Sequence, residues 1–90
     1  MIDADLPGAD LVRSGMADLE RGEESVEALL VSIGAPRLTA IGFAVPSPFP
    51  APEHRLYALL ARTEGDEAHS RYNALVRRLV SFERAVECAS

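Results

Sequence analysis

The sequence predicts an all-α fold, a small four-helix bundle-like domain with a proline-rich crossover and a long C-terminal helix. The first observation is residues 66–88, where apolar side chains recur every three or four residues without an intervening Gly or Pro. This spacing places them on one helix face. Shorter stretches with the same spacing precede it, separated by Gly or Pro. The aromatic content is only 6%, without Trp, which favours an aliphatic core between helices.

Length and composition indicate one folded domain over residues 1–90. A hydrophobic fraction of 48% is ordinary for a globular protein and too high for a disordered chain. The net charge is −5, and all nine basic residues are Arg. Because binding to nucleic acid draws much of its affinity from neutralising phosphates, this acidic total argues against nucleic acid as a partner.

Cysteine content and the N-terminal sequence favour a cytoplasmic location. Cys88 is the only cysteine, so an internal disulfide is excluded, which fits a reducing compartment. The first residues lack the basic and apolar segments of a signal peptide. The sequence has no apolar run of about 20 residues, the length of a membrane-spanning helix, so we expect no membrane association.

The first helix is predicted over about residues 5–21, with Asp5 as its N-cap and Pro7 in its first turn. Its apolar face consists of Ala9, Val12, Met16 and Leu19. Gly22 ends it. Gly15 lies inside it, where an interior Gly costs about 1 kcal/mol relative to Ala. We interpret it as a site of close helix approach or as a glycine that the helix merely tolerates.

A second helix is predicted over residues 24–33, and Gly34 is expected to end it in a left-handed conformation. Its apolar residues are Val26, Leu29, Leu30 and Ile33. Pro36 then opens a separate short helical turn, residues 36–41, which Gly42 closes.

Residues 43–52 form a proline-rich connector with Pro at four alternating positions, 46, 48, 50 and 52. Since Pro donates no backbone hydrogen bond and disfavours the α region in the residue before it, we expect an extended polyproline II segment. Phe43 and Phe49 are expected to pin this crossover to the core. The alternative is a ligand for an aromatic-grooved module, but no flanking Arg or Lys would orient such a ligand.

The third helix is predicted over residues 53–62, and residues 63–65 break it. Its apolar face consists of Leu56, Leu59 and Leu60. The fourth helix, residues 66–88, begins with Asp66 as its N-cap. At 1.5 Å per residue it is about 34 Å long, roughly twice the length of the second or third helix.

This difference in length leaves an apolar surplus on the fourth helix, which we expect to meet the first helix or a second copy of the chain. Symmetric homodimers are the commonest oligomers. The predicted interface consists of Leu75, Leu79, Phe82 and Val86.

No sequence motif indicates a metal ion or a cofactor. The chain has no CxxC or HExxH pair for a metal and no GxxxxGK[ST] or GxGxxG loop for a phosphate. The clustered reactive side chains surround the start of the fourth helix, and the candidate catalytic residues are Arg62, His69 and Asn73. An Arg that holds a phosphate beside a His that moves a proton is the minimum for metal-free RNA cleavage.

The spacing of Arg62 and His69 resembles the R-x(4–6)-H pattern of HEPN-type ribonucleases, which are helical and dimeric. The resemblance covers eight residues and two identities, and Thr63 departs from the Asn, Asp or His usual after that Arg. It implies a metal-free RNase or RNA-binding module that uses Arg62 and His69. Three acidic residues lie between them: Glu64, Asp66 and Glu67. These would repel a phosphate, and the alternative is that the cluster is a structural, capped helix start.

A helix-turn-helix alternative rests on the second helix, Gly34 and residues 36–41. Pro36 lies at the start of the would-be recognition helix, and Arg37 is its only cation, although base readout needs several polar or basic side chains. We therefore interpret the chain first as a non-enzymatic protein–protein interaction or regulatory module, a homodimer with an unidentified protein partner. The RNase module is the first alternative and a weak DNA-binding role is the second.

Overall fold

A computed structural model describes residues 5–89. The elements are α1 Ala9–Glu20, α2 Val26–Ala40, α3 Pro52–Glu64, a 3-10 turn Gly65–Glu67, and α4 Ala68–Ala89. Helix α3, the 3-10 turn and α4 follow one another without a loop. The described residues therefore fold as three helical stretches separated by two loops. No strand occurs within residues 5–89, which confirms the all-α prediction. The first four residues of the predicted domain, and Ser90, lie outside the described residues.

Helix α2 lies at the centre of the packing. It contacts α1, α3 and α4, and eight of its fifteen residues are buried. These buried residues are Ala28, Leu29, Leu30, Val31, Ser32, Gly34, Ala35 and Leu38. A helix with apolar residues on every side is stable only where other elements surround it, so the other helices pack around α2.

The structure overturns the predicted break in the second helix. Helix α2 continues through Gly34 and Pro36 to Ala40, so residues 36–41 are not a separate turn. Pro36 has no N–H to donate within the helix, and an interior Pro costs about 3 kcal/mol or more. Burial of the turn that follows offsets this cost, because Leu38 is 0% exposed in the core.

Gly34 lets α2 lie directly against α4. A Cβ atom at Gly34 would come within 3.0 Å of Leu79 Cδ2 and of Glu83 Oε2, so a larger residue would require these two side chains to shift. The left-handed position predicted for Gly34 is occupied instead by Gly42, whose φ is 107°. The helix therefore ends at the second glycine, where the backbone leaves the core.

Helix α1 begins at Ala9, so Asp5 is not its N-cap. Gly8 precedes the helix with a φ of 78°, a conformation that suits Gly because it has no Cβ. A Cβ atom there would lie 2.6 Å from the carbonyl oxygen of Arg78. The start of α1 is therefore set by the turn that the chain makes against α4.

Gly15 marks a close approach of α1 and α2, the first of the two interpretations that the sequence left open. A Cβ atom at Gly15 would overlap the carbonyl oxygen of Glu27 and Cγ2 of Val31. The corner between the two helices is closed by Ser25, whose hydroxyl donates to Asp18 Oδ2 at 2.6 Å. Ser25 Oγ also accepts a backbone N–H from the first turn of α2 and so caps this helix.

The connector is pinned to the core at both aromatic residues, as predicted. The ring of Phe43 packs against that of Phe82 with 5.7 Å between centroids. The Phe49 N–H donates to the buried Ser32 Oγ at 3.0 Å. A uniform polyproline II conformation is wrong, however, because two residues that precede prolines are left-handed. These are Ser47 with φ 37° and Ala51 with φ 48°.

A bend at Gly65, with φ 60°, joins α3 to α4. Asp66 lies inside the 3-10 turn and is not the N-cap of the long helix, which begins at Ala68. Helix α4 has 22 residues and is therefore about 33 Å long. The predicted long C-terminal helix is confirmed.

We expect Gly15→Ala to lower the free energy of unfolding by about 1–3 kcal/mol, the usual cost of overpacking. The new methyl gains helix propensity but meets a backbone carbonyl that moves only if α1 and α2 separate. Urea denaturation measures the change. Ser14→Ala, at the exposed neighbouring position, is the control and should stay within about 0.5 kcal/mol of the wild type. Equal stability of the two variants would contradict the close approach.

Candidate functional site

The four residues predicted as a dimer interface pack inside the single chain. Leu75, Leu79 and Phe82 are 1%, 3% and 0% exposed, and Val86 is half-buried against the same core. The surplus of α4 is smaller than expected because α2 is fifteen residues long and reaches the C-terminal part of α4. A second copy of the chain would have to contact another face.

An aromatic and aliphatic strip remains accessible along the edge between α3 and α4. Tyr57 on α3 is 42% exposed, and its ring centroid lies 5.9 Å from that of Tyr72 on α4. Tyr72, Val76 and Val80 are partly exposed and follow one another at intervals of four, so they form one ridge on α4. We call Tyr57, Tyr72, Val76 and Val80 the tyrosine–valine ridge.

The phenol of Tyr72 is partly shielded from water by this packing. Burial raises the pKa of Tyr72, and the nearby negative charge of Glu53 raises it further. The hydroxyl therefore stays protonated at neutral pH and remains able to donate a hydrogen bond.

The structure brings two of the three candidate catalytic residues together. The Asn73 amide lies 3.2 Å from His69 Nε2 on the exposed side of α4, and Arg77 Nε donates to the Asn73 carbonyl at 3.4 Å. Tyr57 packs edge-on against the His69 ring with 6.5 Å between centroids. We call His69 and Asn73 the His69 cluster. Because Tyr57 contacts His69, this cluster adjoins the tyrosine–valine ridge.

Arg62, the third candidate, lies on a different side of α3. It follows Tyr57 by five residues, which is about 140° around a helix of 3.6 residues per turn. Arg55, seven residues before Arg62 and on nearly the same side, forms an ion pair with Glu24 at 3.0 Å. Tyr57 faces His69, so Tyr57 and Arg62 project from α3 in different directions.

The helix-turn-helix outline is not formed, because its two predicted helices are the single helix α2. Arg37, the cation of the would-be recognition helix, forms an ion pair with Glu87 on α4. The DNA-binding alternative therefore loses the turn on which it rested.

Glu83 is a buried carboxylate at the contact between α2 and α4. It is 6% exposed, and its Oε2 has no hydrogen-bond partner among the described residues. Burial raises the pKa of Glu83; the positive charge of Arg37 lowers it, and the negative charge of Glu87 raises it again. Buried polar groups without a partner are rare in folded proteins, which makes Glu83 a candidate for a role beyond packing.

Sequence reasoning missed Tyr57 as a surface anchor and missed Glu83 entirely. The signal for Glu83 was its position four residues after Leu79, which places an acid beside the apolar face of α4. The signal for Tyr57 was weaker, because only the pairing of α3 with α4 shows that its ring meets Tyr72.

Within residues 5–89, no three His, Cys, Asp or Glu side chains are placed to hold a metal ion together. In the same part of the chain, no helix combines the length and the apolar character needed to cross a membrane. A shallow groove of about 440 Å³ lies beside the connector. Its lining residues are Glu20, Thr39, Ala44, Val45 and Pro46. The His69 cluster does not line this groove.

Comparisons with known proteins gave no match: no protein-family model, no curated protein and no solved structure matches this chain.

We expect Glu83→Gln to raise the free energy of unfolding by about 1 kcal/mol at pH 7, because it removes a carboxylate whose ionised form burial disfavours. Since the pKa of Glu83 is raised in the folded state, this residue favours folding below the ordinary Glu pKa of about 4.3. That contribution is lost as the pH rises through the raised pKa. The wild type and the variant should therefore have similar stability at pH 4 and diverge above it.

Urea denaturation between pH 4 and pH 8 measures this divergence. Glu64→Gln makes the same change at an exposed position and should follow the wild type throughout. A difference between wild type and Glu83→Gln that stays constant with pH would contradict the role of the buried charge.

Proposed function

We propose that the chain is a cytoplasmic, non-enzymatic interaction module. In this proposal a small bundle-like helical domain pairs with a second copy and serves a protein partner as an adaptor or regulatory subunit. The observation that carries it is the tyrosine–valine ridge, an apolar strip that remains partly exposed on two packed helices. Tyr57 at one end of this strip is 42% exposed.

The side chains of the ridge suit a protein interface. Tyr is enriched at interfaces, where it combines a large apolar ring with a polar hydroxyl. The rings of Tyr57 and Tyr72, 5.9 Å apart, already pack against each other, so binding would cost them little conformational freedom. Arg77 and Arg84 are exposed on the neighbouring side of α4 and would form part of a polar rim.

The spacing of the ridge suits pairing with an identical helix. Rows of side chains four residues apart on two helices interdigitate at a crossing angle of about −50°. Val76 is the middle residue of the row on α4, so an antiparallel pair with its twofold axis near Val76 brings Tyr72 of one copy towards Val80 of the other. Such a contact uses the same surface twice and closes as a dimer.

We expect Val80→Asp to disrupt this dimer, because the contact would bury a carboxylate without a partner. A cost of about 2 kcal/mol or more corresponds to association about 30-fold weaker or more. Light scattering over a concentration series measures the mass. Ser81→Asp places the same charge on an exposed side of α4 and should leave the dimer intact. A wild-type chain that stays monomeric at the highest concentration would remove the homodimer from the proposal.

A second candidate function is a metal-free RNase or RNA-binding module that uses His69, with Arg62 to hold a phosphate. The observation that favours it is the contact of 3.2 Å between the Asn73 amide and His69 Nε2, which orients the imidazole beside Tyr57. Exposed aromatic rings stack on unpaired bases without regard to sequence. In this candidate, Tyr57 would hold a base while His69 moves a proton.

For this second candidate we expect His69→Ala to lower the rate of RNA cleavage about 100-fold or more, the usual contribution of general acid–base catalysis. Cleavage and binding of single-stranded RNA, measured in the presence of EDTA, test it. His54→Ala removes the other histidine, which is exposed on α3, and should leave both unchanged. If the His69→Ala variant cleaves and binds RNA as the wild type does, the RNase or RNA-binding function is wrong.

A further inference from the structure

Three aromatic rings meet at the edge between α3 and α4. The centroid of the Tyr57 ring lies 5.9 Å from that of Tyr72 and 6.5 Å from that of His69. The interplanar angles are 55° and 61°, so neither ring stacks flat against Tyr57. Among the described residues, Tyr57 is the one large hydrophobic side chain that is exposed. Part of its ring is therefore open to a ligand, and the face of an aromatic ring carries the negative part of its quadrupole.

Glu53 adds a carboxylate beside these rings. It precedes Tyr57 by one turn of α3, and residues four apart on a helix have Cβ atoms about 5–6 Å apart. Around the helix, Glu53 falls between Tyr57 and the buried Leu60. Burial raises the pKa of Tyr72, and the negative charge of Glu53 raises it further, which agrees with this placement. Glu53 is exposed and forms no ion pair with another residue in the described part of the chain.

The chain contains a complete example of an arginine held between a ring and a carboxylate. The guanidinium carbon of Arg55 lies 5.9 Å from the centroid of the Phe49 ring. The same guanidinium forms an ion pair with Glu24 at 3.0 Å. At Tyr57 and Glu53 a ring and a carboxylate are again neighbours, but within residues 5–89 no guanidinium lies over the Tyr57 ring.

The arginines nearest to these rings in the sequence project in other directions. Arg62 lies about 140° around α3 from Tyr57, and Arg71 lies about 100° around α4 from Tyr72. An arginine that occupied the exposed ring and the carboxylate together would therefore come from another molecule.

We propose that the rings of Tyr57 and Tyr72 and the carboxylate of Glu53 form a docking site for an arginine side chain of a protein partner. His69 supports the site by packing against Tyr57. This proposal rests on the proposed interaction module and names the chemistry of its partner.

The chemistry of the site favours a guanidinium over other groups. A guanidinium is planar, so it can lie on the face of Tyr57 while its N–H groups donate to the Glu53 carboxylate. It is also hydrated more weakly than an ammonium, so it loses less when it leaves water for the ring. A phosphate would be repelled by Glu53, which separates this site from the RNA-binding candidate.

An NMR titration of the full chain with Nα-acetyl-arginine methylamide tests the proposal. It is run below the chain concentration at which the mass measured by light scattering rises. The ring resonances of Tyr57, Tyr72 and His69 should shift in a saturable manner. Nα-acetyl-citrulline methylamide has the same shape without the charge, and at matched ionic strength it should bind about fivefold more weakly or less.

Two variants separate the contributions of the ring and the carboxylate. Tyr57→Leu keeps an apolar side chain at this exposed position and should weaken binding of the arginine analogue about two- to fivefold, measured at Tyr72 and His69. Glu53→Gln should weaken it by a similar factor. Glu20→Gln makes the same change of charge at an exposed position on α1 and should bind as the wild type does.

Equal binding of the arginine and citrulline analogues would overturn the docking site. So would a Glu53→Gln variant that binds the arginine analogue as tightly as the wild type. Ring resonances that respond to a single-stranded RNA oligonucleotide and not to the arginine analogue would overturn it in favour of RNA. A chain that stays monomeric would remove the homodimer and leave this titration unaffected, so the two failures are distinguishable.

Discussion

The enclosure of α2 by the other three helices is the constraint on which the rest of this structure depends. Two glycines make it possible, because each removes the Cβ atom that would hold a neighbour away. Gly15 admits α2 against α1, and Gly34 admits α4 against α2. The interior Pro36 is tolerated for the same reason: the turn after it is buried at Leu38, and burying that side chain offsets the lost backbone hydrogen bond.

The length of α2 decides which surface is left over. A second helix that ended at Gly34 would cover less of the C-terminal half of α4, which carries the apolar seam of Leu75, Leu79, Phe82 and Val86. The observed helix reaches Ala40, so that seam is buried inside one molecule. What remains is the tyrosine–valine ridge, which combines partly exposed apolar side chains with the His69 cluster at one end. The two proposed functions, pairing and RNA binding, would therefore use neighbouring side chains on the same edge of the molecule.

The same contact between α2 and α4 buries one carboxylate, that of Glu83, whose Oε2 has no hydrogen-bond partner among the described residues. Gly34 leaves space that the Glu83 carboxylate approaches, and burial then disfavours its charge. Arg37 on α2 lies near the surface, where it forms an ion pair with Glu87. A charge imbalance inside a helix contact is a means of making packing respond to pH, because a proton there alters which groups attract each other.

The sequence by itself determined the helical class, the position and length of α4 and the anchoring of the connector by Phe43 and Phe49. Each of these follows from local periodicity or from a residue with a single strong preference. The tertiary structure alone decided that α2 continues through Pro36, that Leu75, Leu79 and Phe82 face the interior, and that Tyr57 packs against Tyr72 and His69. These depend on which helices touch, and burial against a neighbour outweighs the local preferences of Gly and Pro. Local sequence preferences indicate where an isolated helix would end. Packing against neighbouring helices determines where each helix ends in the folded chain.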